Sequence, residues 1–94
     1  MAADSRPLLV FFGASHSGPA RRMESLMAHL ARKERDRLRV TSIDVDERPE
    51  LAQRFRVETV PTLALVKDNR VVDRLEGRAS APKIERMLEP HLVT

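Results

Sequence analysis

Ninety-four residues are enough for one compact domain and too few for two. With 41% hydrophobic residues the chain can bury a core, yet no apolar run approaches the ~18 residues of a membrane span. Seventeen Lys and Arg against fourteen Asp and Glu leave a formal charge of +3, and the absence of cysteine excludes disulfides, thiolate metal sites and thiol nucleophiles. Nucleic acid gains only weak support from this composition. There is no Trp or Tyr to stack on bases, and the three Phe fall in apolar positions expected in the core. The start, Met1-Ala2-Ala3-Asp4-Ser5-Arg6, has neither the charged opening nor the apolar stretch of a signal peptide. The expectation is a cytoplasmic protein with a single domain over 1–94, frayed over 1–6.

Leu8-Leu9-Val10-Phe11-Phe12, bounded by Pro7 and Gly13, predicts a strand covered on both faces. The period then changes. Met23, Leu26, Met27, Leu30 and Ala31 form the stripe of an amphipathic helix, with Ser17 as its N-cap and Pro19 in its first turn. Arg32 to Arg37 places cations at its end, where the helix dipole favours them. Leu38 to Val45 predicts a second strand, parallel to the first across a right-handed crossover. Asp44 or Asp46 is expected to cap a short second helix, with Pro49 in its first turn and Leu51, Ala52 and Phe55 facing inward.

Val60-Pro61-Thr62 leads into the apolar run Leu63-Ala64-Leu65-Val66, and Lys67-Asp68-Asn69-Arg70 predicts a tight hairpin turn. Val71 to Leu75 is the returning strand, and Gly77 breaks it. Ser80 caps a last helix with Ile84, Met87 and Leu88 inward, which Pro90 ends or kinks. The order is β-α-β-α-β-β-α, an α/β fold with a mixed four-stranded sheet and helices on both faces.

Two stretches carry the functional reading: Ser15-His16-Ser17-Gly18-Pro19-Ala20-Arg21 at the first strand-to-helix junction, and Val60-Pro61-Thr62. Together with Asp46, Pro49, the hairpin turn and Gly77, their order and spacing resemble the thioredoxin family over Leu8 to Leu92. The resemblance implies a minimal thioredoxin-like fold, a cis peptide bond at Pro61, and a shallow groove between the active-site loop and the Val-Pro-Thr segment. The family's Cys-Gly-Pro-Cys corresponds to Ser17-Gly18-Pro19-Ala20, so both cysteine positions lack sulfur. The family's buried Asp corresponds to Phe11, its two tryptophans at the loop to Gly13 and His16, and a lysine near the acid to Ser42. Replacement of the cysteines in an engineered trap accounts for positions 17 and 20 but not for Phe11, Gly13 and His16.

Without a thiol, disulfide exchange cannot proceed at this loop. Ser17 beside His16 at a helix N-terminus offers a nucleophile in principle, but adjacent residues on such a turn point apart and no acid orients the imidazole. Capping is the simpler role. His16, His29 and His91 show no metal-ligand spacing, so no metal or cofactor is implied.

The leading expectation is a redox-inactive module that binds a protein or extended peptide in a groove formed by His16, Ser17, Gly18, Pro19, Arg21, Val60, Pro61, Thr62 and Gly77, with Arg22 adding an anion contact. The alternatives are a disulfide oxidoreductase whose cysteines were removed or lost, a weak serine-based transferase, and an electrostatic binder of nucleic acid or acidic protein. The chain begins at what resembles the family's second strand, which places Leu38–Val45 at a sheet edge and suggests homodimerisation or addition of a partner strand there.

Overall fold

The computed structural model describes residues 5–15 and 17–92. Strand β1 (Leu8–Gly13) leads into helix α1 (Gly18–Lys33), then β2 (Arg39–Asp44) and the short α2 (Pro49–Arg54). Strands β3 (Thr62–Lys67) and β4 (Arg70–Glu76) follow, then α3 (Ala81–Leu88), which runs into a 3-10 turn at Glu89–His91. The sheet order is β2-β1-β3-β4, with β1 parallel to β2 and antiparallel to β3, and β3 antiparallel to β4.

The continuous apolar run of β1 is explained by coverage of both sheet faces. Alternate residues of a strand point to opposite sides, and Leu9 and Phe11 join one buried cluster while Val10 and Phe12 join another. The first cluster is the thicker. Met23, Met27 and Leu30 of α1 and Ile84, Met87 and Leu88 of α3 close over Leu63 and Leu65. The second consists of Val10, Phe12 and Ala64, with Ile43, Val45, Phe55 and Val57 partly buried against it. No helix among the described residues is long and apolar enough to cross a membrane.

Helix boundaries follow local chemistry. The Ser17 hydroxyl accepts from the Ala20 N–H at 3.3 Å, and the Ser80 hydroxyl from the Lys83 N–H at 3.4 Å, so α1 and α3 each begin at a serine cap with proline in the first turn. The β3–β4 turn places Asp68 and Asn69 at φ 54° and 64°, the left-handed region that these side chains tolerate. Helix α3 ends at Leu88, ahead of Pro90.

The expected cap of α2 is corrected. Arg48 occupies that position without a side-chain capping bond, and Asp44 instead accepts from the Asp46 N–H at 2.8 Å. The aspartate lies too far upstream of Pro49 to reach the helix, so it closes the turn leaving β2. Of the residues expected inward on α2, Ala52 is buried, whereas Leu51 and Phe55 are half-buried. The Phe55 ring lies 5.1 Å from that of Phe12.

Candidate functional site

The register of the sheet brings the two motif stretches together. Phe12 pairs with Thr62, so Pro61 falls opposite Gly13, where β1 gives way to the loop before α1. Thr62 also pairs with Glu76, and the Gly77 N–H donates to the Pro61 carbonyl at 2.8 Å. Gly77 adopts φ 83°, where a side chain would be strained, and this lets the chain leave β4 beside Pro61.

On the loop side, the Ser17 N–H donates to the Ala14 carbonyl at 3.0 Å. The Ser17 carbonyl accepts from the Arg21 N–H at 3.0 Å while its hydroxyl caps α1. Its oxygen is therefore engaged in structure. Gly18 is exposed and Pro19 half-buried. Arg21 and Arg22 are exposed on the first turn of α1, and the Arg22 guanidinium lies 3.8 Å from where a Gly18 Cβ would stand. His16 lies outside the described residues.

Beneath the loop the site is hydrocarbon. Ala20 is wholly buried, and Phe11 is 1% exposed in the same cluster. A Cβ built on Gly13 would meet the Phe11 ring at 3.1 Å and the Ala20 Cβ at 3.2 Å. Phe11, Gly13 and Ala20 thus interlock: the ring and the Ala20 methyl crowd the space above them, and a side chain at position 13 would push them aside by a few tenths of an ångström. A thiol at position 20 would be held against this ring, where burial disfavours the thiolate.

The opposite wall is backbone. The Val60–Pro61 peptide bond is cis, Pro61 and Thr62 are buried, and the Thr62 hydroxyl donates to the Thr59 carbonyl at 2.7 Å. Val60 is half-buried, and among the described residues neither its N–H nor its C=O has a protein partner.

The thioredoxin family profile matches residues 1–90. The chain belongs to the thioredoxin family. It is 36% identical over 88 residues to a thioredoxin-like protein of Synechocystis, covering 94% of this chain and 81% of that one. It is 35% identical over 83 residues to a thioredoxin of Alicyclobacillus acidocaldarius, covering 88% and 79%. Among solved structures, the germline-specific thioredoxin Deadhead of Drosophila melanogaster superposes with a TM-score of 0.85 at 33% identity, covering 93% of this chain and 82% of that one. This thioredoxin-like chain contains no cysteine.

Arg74 is the residue that sequence reasoning missed. From β4 its guanidinium donates to the carbonyls of Phe55 at 2.9 Å and Arg56 at 3.2 Å, and it pairs with Glu76 at 3.3 Å. Arg56 sits at φ 55°, so the chain reverses there on its way to Val60. Arg74 thereby ties the segment leading to the groove onto the sheet. Its only sequence signal was a long cation in an edge strand. Among the described residues, no group of His, Asp and Glu is arranged to hold a metal ion. A cleft of about 240 Å³ opens towards β2, and its lining includes Gly13, Ser15, Glu24, Ser42 and Asp44.

Proposed function

We propose that this chain is a redox-inactive, cytoplasmic thioredoxin-like module that binds an extended segment of a partner protein across the groove between Ser17–Pro19 and Val60–Thr62. The observation that carries the reading is the pairing of a cysteine-free loop with a Val60 backbone that has no partner among the described residues, beside the buried Pro61. An extended peptide laid along Val60 would donate to its carbonyl and accept from its N–H, as in addition of a strand to a sheet edge. Gly77 leaves the far rim low, since nothing lies within 4 Å of where its Cβ would be. Arg21 and Arg22 would select acidic side chains on the ligand.

The test is selection from a random-peptide display library against the parent protein and a Pro61→Thr, His16→Ala variant matched for melting temperature. Peptides retained by the parent and lost by the variant support the groove. Peptides bound equally by both, or none at all, overturn it.

The oxidoreductase alternative, with cysteines replaced, is opposed by Phe11 and Gly13, which interlock with Ala20 as one packed unit. A Ser17→Cys, Ala20→Cys variant is expected to leave a protein disulfide substrate unreduced. Turnover near that of an ordinary thioredoxin would favour the alternative.

A further inference from the structure

We infer that the outer edge of β2 pairs antiparallel with β2 of a second copy of this chain. Among the described residues, β2 ends the sheet on one side. The Arg39 N–H donates to the Pro7 carbonyl and the Val45 N–H to the Gly13 carbonyl, both at 2.9 Å. Alternate residues of a parallel ladder face the same neighbour, so residues 39, 41, 43 and 45 turn towards β1 and Val40, Ser42 and Asp44 turn outward. The Asp44 carbonyl is taken up by the following turn, where it accepts from the N–H groups of Glu47 and Arg48. That leaves both peptide groups of Val40 and Ser42, and the N–H of Asp44, directed away from the sheet.

A two-fold axis midway between the two copies of Ser42, normal to the sheet, satisfies all of these groups except the Val40 N–H, whose partner would be the Asp44 carbonyl already taken by the turn. Ser42 exchanges both bonds with Ser42 of the second copy, and on either side an Asp44 N–H donates to a Val40 carbonyl. The same register sets Thr41 opposite Ile43, a cross-strand pair of β-branched residues. Ile43 lies on the face with the thinner buried cluster, so pairing extends that layer. The strand between its ends, Val40-Thr41-Ser42-Ile43, carries none of the charges or prolines that protect an edge from pairing.

Charge fixes both the occupant and its direction. The approach to β2 holds Lys33, Arg35, Arg37 and Arg39 against Glu34 and Asp36, whereas its exit holds Asp44, Asp46 and Glu47 against Arg48, so the two ends carry opposite net charge. Antiparallel pairing of two copies sets the basic end of each against the acidic end of the other, twice. A parallel second copy would set like against like. This assembly is independent of the groove.

Light scattering and sedimentation equilibrium from low to high micromolar protein test it, with a concentration-dependent monomer–dimer equilibrium expected. Because the Ser42 N–H faces outward, Ser42→Pro removes a donor from the dimer and none from the β1 ladder; it is expected to weaken association about tenfold or more. Should that variant fold poorly, charge reversal replaces it. Arg39→Glu and Glu47→Arg each weaken self-association, and their equimolar mixture forms a heterodimer. A monomer at every concentration, or a dimer indifferent to these changes, overturns the inference.

Discussion

On the loop wall of the groove the two positions that match the family's cysteines are committed to structure: the Ser17 hydroxyl caps α1, and Ala20 lies buried in the cluster that holds Phe11. On the Pro61 wall the side chains are equally committed, with Thr62 bonded to Thr59 and Pro61 buried, but the Val60 backbone is left unpartnered. The two walls teach that the side chains thiol chemistry needs and the path of the backbone are separable in this fold. Thiol chemistry depends on side chains at two positions and on the groups supporting them, all of which differ here. Backbone recognition depends on the path of the chain, which β1, β3, Gly77 and Arg74 fix without reference to sulfur.

The sharpest way to break the loop wall is Phe11→Asp. A carboxylate at a 1% exposed position loses the ring's packing and has no cation among the residues of its cluster. The expected loss is about 4 kcal/mol or more, read by urea denaturation. A variant of near-parental stability would show that the space under the loop is not a packed hydrocarbon site.

The Pro61 wall is tested next by Arg74→Met, which keeps the stem and removes the donors to Phe55 and Arg56. A loss of about 1–3 kcal/mol is expected, with amide exchange accelerated most over residues 55–60. Uniform acceleration across the sheet would argue against a local tie.

A smaller effect is expected from Ser17→Ala, about 1 kcal/mol from the lost N-cap. Its helical signal in circular dichroism should fray without loss of fold. If Ser17 were catalytic, stability would hold and an activity would vanish.

The smallest effect concerns Glu50, whose carboxyl is held below its ordinary value chiefly by the hydrogen bond from the Arg48 side chain. A lowered native pKa stabilises the fold above the unfolded value and is lost as pH falls through the native one. Glu50→Gln should therefore melt slightly lower than the parent at neutral pH, and the two should converge in acid. A difference that persists in acid would point to packing.

The fold was legible where one element carried its own signal. The β1 run, the Met23–Leu30 stripe, the Asp68-Asn69 turn and the Ser17 and Ser80 caps are all properties of short windows, and each element stands where its pattern placed it. What could not be read are relations between elements. No pattern reveals that Arg74 reaches carbonyls 18 and 19 residues upstream, because its acceptors are backbone and leave no trace in sequence. The interlock of Phe11, Gly13 and Ala20 joins two elements; the resemblance marked those positions as unusual, but only the close approach at Gly13 explains them as one unit. The α2 cap went astray because Asp44, suited to capping, closes the turn that leaves β2, and Arg48 stands at the cap position instead.

The account stands most directly on the Val60 backbone. With a peptide selected by the parent protein, the amide shift and hydrogen-exchange protection of Val60 should be measured across a titration. The prediction is that Val60 shows the largest protection on binding, with Gly77 and Gly18 perturbed and Ser42 unchanged. Binding that leaves Val60 exchanging at its free rate would contradict it.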